Sequence, residues 1–343
     1  MIPDESLLAI KKEAAAIYRE AQAWCDDKIS QATGCILDYQ ASEQVDLRDI
    51  CFVVVGSVGR SEALAASDLD LVPIARTDQA LEEYALRDAE LRRRLCQTLK
   101  VKVSRGKNLT KAGTIGSLVE RESIGGENDN SQNLTKRMLV LTESQQVGEG
   151  YELKVVKREI LKAYEGEERS RGRHVLSLCN DIARYYRTLC IEYKTKADSE
   201  SENWSTRNLK LRHSRKIWYF SSIVLFAKLA EQFPRGDCGY TSKLLQELEV
   251  SPVARLARAL KDTQGVELGR LLETYAFFLR FMSEPSHRQR LSDVAHDERY
   301  SNLIDNPFPM LKFNSDLLHR HIVSIIEGMQ RSTRQRVLDW FLF

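Results

Sequence analysis

The chain has 343 residues, with 51 Lys+Arg against 49 Asp+Glu and a formal net charge of +2. That length exceeds what one core usually serves, so two domains are expected. The near balance of charge excludes a coat of basic residues for nucleic acid, and the seven cysteines, odd in number and without a C-x-x-C pair, disfavour a disulfide scaffold or a zinc module.

The N-terminal stretch is charged and periodic, which predicts an amphipathic helix over residues ~4–25 and a less regular one toward residue 40. It lacks the apolar stretch of a signal peptide, and no run elsewhere reaches membrane-spanning length, so a cytoplasmic protein without a membrane partner is expected. Residues 51–55 and 69–74 are short apolar runs suited to strands, although Pro73 limits the second. SEALAA between them has helix-forming composition. Residues 80–99 read as a helix, 100–104 as a third strand, and 106–133 as a long loop with a short helix near Ser117–Arg121. From Leu134 onward helical periods dominate, at about 134–145, 151–165, 172–194, 205–232, 242–262, 265–283 and 313–341. The composition shifts near residue 148, giving an α+β domain over 1–148 and a helical one over 149–343.

The informative stretch is CFVVVGSVGRSEALAASDLDLVPIA, Cys51 to Ala75. A strand ending in Gly56-Ser57 offers backbone N–H groups and one hydroxyl to phosphate oxygens, because glycine has no Cβ to block the approach. Asp68 and Asp70 are two apart on a predicted strand, so both carboxylates project to one face and can together hold a hard divalent cation. Arg60 either contacts phosphate or locks the turn by pairing with Glu62.

As it stands, Gly56-Ser57-x-Gly59-Arg60-x-Glu62, followed by Ser67-Asp68-x-Asp70-Leu71, resembles the signature of the polymerase-β nucleotidyltransferase superfamily. The variant looks most like bacterial protein nucleotidyltransferases, the PII uridylyltransferase group among them. The resemblance implies that Gly56 and Ser57 hold the phosphates of a nucleoside triphosphate and that Asp68 and Asp70 bind Mg²⁺, or Mn²⁺. A hydroxyl would then attack the α-phosphorus and pyrophosphate would leave. The acceptor implied is a protein side chain or a nucleotide or oligonucleotide 3′-end, in a bacterial stress or antiviral defence setting. Such enzymes usually carry a third carboxylate on a later strand. Here that strand offers Lys102, so Glu122, Glu127, Asp129 and Glu143 become the candidates.

In the helical half, Asp181, Arg184 and Tyr185 share a helix face. The run RNLKLRHSRK carries Arg207, Lys210, Arg212, Arg215 and Lys216 without an acidic residue, beside Trp204 and Trp218. Arg184, Lys210 and Arg215 are the candidate nucleotide contacts of this half, since Lys and Arg bind phosphates and an aromatic can stack on a base. Gly125-Gly126 and Arg137 suggest a lid. The rival reading is a catalytically weak nucleotide-binding module acting through a partner protein. Self-association is also open.

Overall fold

In the computed structural model, residues 10–65, 67–106, 108–120, 124, 131–165, 175–198, 203–234, 237 and 239–341 are described. The predicted N-terminal helix pair is one helix, α1 (Lys12–Glu43). No proline interrupts it, and Ala21, Cys25, Ala32, Ile36 and Tyr39 recur at helical spacing as one buried stripe.

The run ICFVVV forms β1 (Ile50–Val55), buried at every position. It pairs antiparallel with β2 (Asp70–Ala75), in the register Ile50↔Ala75 to Val55↔Asp70. The predicted helix in SEALAA does not form. The helical turn instead comes earlier, at Gly56–Gly59, and residues 60–65 and 67–68 are irregular. Local hydrogen bonds compete there: Ser67 Oγ accepts from Leu64 N–H at 3.2 Å, and Ser67 N–H donates to Leu64 C=O at 2.8 Å.

The predicted helix over 80–99 is two, α2 (Asp78–Ala85) and α3 (Asp88–Leu99). The predicted strand at 100–104 shrinks to a single parallel bridge between Leu69 and Val103. The third strand is β3 (Gly113–Thr114), parallel to β2 and followed by α4 (Ile115–Val119). Because β3 pairs only with Ile74 and Ala75, Pro73 has no ladder partner on that side and its missing N–H costs nothing. After α5 (Ser131–Thr142), β4 (Gln145–Val147), which the periodicity does not foretell, pairs antiparallel with β1. The sheet order is β3-β2-β1-β4.

Later elements are helices: α6 (Leu153–Glu165), α7 (Leu176–Asp198), α8 (Trp204–Lys210), α9 (Lys216–Gln232), α10 (Gly239–Leu248), α11 (Pro252–Ser283), α12 (Pro285–Ser292), α13 (Phe308–Glu327) and α14 (Arg331–Phe341). The predicted helix over 205–232 is interrupted by a π-helical segment at Leu211–Arg215. The two predicted over 242–283 redivide at Pro252, and that over 313–341 breaks between α13 and α14. No helix is long and apolar enough to cross a membrane among the described residues.

The chain divides into two compact units, one of residues 21–181 with 233–251 and one of residues 1–20 with 182–232 and 252–343. The composition shift near residue 148 falls inside the first unit, between β4 and α6. In the first unit the core gathers β1 and β2 with α1, Tyr84, Leu91 and Leu95. In the second, α9 is buried nearly all round, packed by α11 and α14, and Phe341 meets Phe226 and Tyr219 edge-on at ring separations of 6.3 and 6.2 Å.

Candidate functional site

β1 delivers the chain into Gly56, whose φ of +71° suits glycine. A Cβ there would stand 3.1 Å from Asp70 Oδ2. The bare glycine therefore lets that carboxylate lie against the turn, and the pairing Val55↔Asp70 is what brings the two together. The turn is closed by Arg60 N–H to Gly56 C=O at 3.0 Å and Glu62 N–H to Ser57 C=O at 2.9 Å. Ser57 is half-buried, Asp70 half-buried and Asp68 exposed.

The turn is clamped from behind. A Cβ on Gly59 would fall 2.1 Å from the Glu143 carbonyl oxygen and 2.8 Å from that of Val54, so only glycine admits this contact. Arg60 Nε donates to Glu62 Oε2 at 2.7 Å, and its other arm donates to Glu143. All three side chains are buried. Of the two readings of Arg60, this geometry is the locking ion pair, and it commits Glu143 to Arg60 as well. Gln145, which no sequence pattern flags, adds a third tie: its amide donates to Ser61 Oγ at 2.8 Å and to the Val58 and Gly59 carbonyls at 3.2 and 3.3 Å. Ser61 sits behind the turn at φ +57°.

The aspartate side is braced by Arg92, also unforeseen. Its guanidinium reaches Asp88 at 2.7 Å, the Leu71 and Ser104 carbonyls at 3.2 and 2.8 Å, and Thr110 C=O at 2.9 Å. It thereby ties β2 to the segment after α3. That segment pairs through Leu69 N–H to Lys102 C=O at 2.8 Å and Ser104 N–H to Leu69 C=O at 3.0 Å. Leu69 and Val103 are buried opposite each other, so alternation places Lys102 and Ser104 on the face taken by Asp68 and Asp70. Lys102 is exposed.

Glu122, Glu127 and Asp129 lie outside the described residues, as do Gly125 and Gly126. Among the described residues no group of three His, Cys, Asp or Glu is placed to hold a metal. What the turn offers is an oxygen-only set, two carboxylates and the Ser57 hydroxyl, with the space at Gly56 that a Cβ would fill. Oxygen donors of this kind are the ligands that hard divalent cations such as Mg²⁺ or Mn²⁺ take.

Arg137, expected on a lid, is buried. Its Nε donates to Tyr164 at 3.2 Å and its guanidinium lies 3.7 Å from Asp181, to which Tyr164 donates at 2.5 Å. Burial, the Asp181 charge second, pushes the Tyr164 phenol far above its ordinary range. Asp181 is thus an internal partner within the first unit. Arg184, Lys210 and Arg215 belong to the second unit, where Arg184 and Arg215 are half-buried and Lys210 exposed. Trp218 is no stacking platform: it is fully buried, edge-on to Tyr185 at 5.2 Å. Trp204 packs on Phe308 at 5.1 Å and edge-on to His296 at 4.6 Å.

No curated protein matches the chain. Residues 5–101 match the model of a family described as "Putative nucleotidyltransferase DUF294". That segment runs through α3 and contains Gly56, Ser57, Asp68 and Asp70, so the part of the chain that builds the turn and its aspartates is similar to a family associated with nucleotide transfer.

Proposed function

We propose that the protein is a nucleotidyltransferase that moves an NMP or dNMP from a nucleoside triphosphate to a hydroxyl acceptor, releasing pyrophosphate. The observation that carries this reading is the contact of the Asp70 carboxylate with the side-chain-free Gly56, inside the segment that matches the family.

Asp68 and Asp70 would hold Mg²⁺ or Mn²⁺, which supplies neutralisation of phosphate charge. Ser57 and the adjacent amides bind and orient the triphosphate, so the acceptor oxygen is met by a positioned phosphorus rather than a tumbling one. The Arg60 clamp keeps the turn in one shape at no cost during the reaction. A protein side chain or an oligonucleotide 3′-end is the acceptor this reading favours, in the manner of bacterial protein modifiers that serve stress or antiviral responses.

The test is incubation with each α-³²P-labelled NTP and dNTP plus Mg²⁺, resolved on protein and nucleic-acid gels. A labelled protein band or a product ladder that disappears in Asp68→Asn/Asp70→Asn is expected. Lys102, on the aspartate face, favours a second reading, a binding module without turnover. Saturable nucleotide binding with no aspartate-dependent label under any condition would establish it instead.

A further inference from the structure

The π-helical segment Leu211–Arg215 is pinned on several sides within the helical unit. His213, fully buried, stacks on Phe278 at 4.0 Å with the rings 2° from parallel; its Nδ1 bonds the Leu209 carbonyl and its Nε2 bonds Asn314 Oδ1, both at 2.9 Å. Ser214 accepts from Tyr275 at 2.9 Å. A widened turn held this rigidly re-aims the residues around it, and such turns recur at functional sites.

What it aims is positive charge. The His213 bond to Asn314 sets this stretch against α13 between Lys312 and Asp316, and the charges of Arg212, Lys312 and Asp316 all reach Lys216. Asp316 is engaged by Lys312, at 2.5 and 2.7 Å. Arg212 Nε donates to the neutral Asn208 amide at 2.8 Å. Lys216 is half-buried, and among the described residues no carboxylate lies within ion-pair distance of it. Three cations thus share one carboxylate, with the His319 imidazole close enough to feel Lys216. Burial first, then the Arg212 charge, holds the Lys216 ammonium below its ordinary range, with Asp316 opposing. The Arg212 charge also reaches Tyr186, which stacks on Tyr219 at 4.3 Å.

We propose that Arg212, Lys216 and Lys312 form a binding site for a small polyphosphate anion, pyrophosphate or the phosphate tail of a nucleotide. Two or three cations on rigid helices suit a ligand with several adjacent negative oxygens better than a single monoanion. The site stands on the helical unit alone and does not rest on the transferase reading.

The test is calorimetric titration of the full chain without divalent metal, using pyrophosphate, ATP and adenosine. Saturable one-site binding of pyrophosphate and ATP is expected, with adenosine silent; whichever of the two binds tighter names the source. Arg212→Gln/Lys216→Gln should weaken binding by about tenfold or more, Lys312→Gln should weaken it in the same direction, and Asp68→Asn/Asp70→Asn should leave it unchanged. Without the anion, Lys216→Gln should unfold no earlier than the parent. Binding that fails to saturate, survives the double charge removal or vanishes in the aspartate variant would overturn the proposal, as would a Lys216→Gln protein that is markedly less stable.

Discussion

Two charged arrays flank the turn at Gly56 and are built on opposite principles. Arg60, Glu62 and Glu143 are buried, opposite in sign and bonded to one another. Asp68 and Asp70 are like in sign and stand at the surface, one exposed and one half-buried. A buried charge survives only if its partner is part of the fold, whereas two like charges at a surface repel each other and can attract a cation from solution. The first array therefore holds the turn, and the second is where chemistry is expected.

The sharpest way to break this contrast is to remove Glu143. Glu143→Ala leaves the Arg60 guanidinium buried without one of its carboxylates and should cost about 3–5 kcal/mol in urea unfolding. A loss below about 1 kcal/mol, within the range of exposed ion pairs, would place the array outside the architecture.

His213 extends the rule to the helical unit. Burial lowers its pKa from 6.5 to about 4, so it is neutral in the native protein while the unfolded chain takes up a proton below pH 6.5. Its contribution is therefore present above pH 6.5 and lost as pH falls through about 4. That window corresponds to about 3 kcal/mol. Unfolding measured at pH 7 and pH 4.5 should show a drop in the parent that is smaller in His213→Gln; equal drops would contradict it.

Gly59→Ala, which drives a Cβ into the Glu143 carbonyl, should destabilise by about 1–3 kcal/mol. Gly56→Ala should cost about 1–2 kcal/mol from its left-handed backbone and, by crowding Asp70, should also weaken nucleotide binding. Equal nucleotide affinity in Gly56→Ala and parent, by titration, would separate that glycine from the site. The smallest stability effect is expected at the exposed array: Asp68→Asn should stay within about 0.5 kcal/mol of the parent.

The legibility of these features in the sequence follows their locality. β1 is a six-residue apolar run, β2 is apolar after Asp70, and Gly56-Ser57 and Asp68-x-Asp70 are local motifs, so strand, turn and aspartates could be read directly. β3 and β4 have two and three residues, too few for any period to show. Glu143 lies 83 residues from Arg60 and Gln145 is 84 from Ser61, and nothing local announces either bond. Arg92 looks like any arginine of a surface helix until the chain folds back to place acceptors of Leu71, Ser104 and Thr110 around it. SEALAA shows the reverse: helical composition overruled by hydrogen bonds within the loop. The π-helical segment leaves no trace either, since its residues fit an α-helix equally well.

The most direct test is pyrophosphate release from nucleoside triphosphate by parent and Asp68→Asn, each with its unfolding free energy measured in the same buffer. The account expects release to fall by about a hundredfold or more while stability is unchanged. Undiminished release, or a loss of release accompanied by a loss of stability as large as that of Glu143→Ala, would contradict the division between the array that holds the turn and the array that does the chemistry.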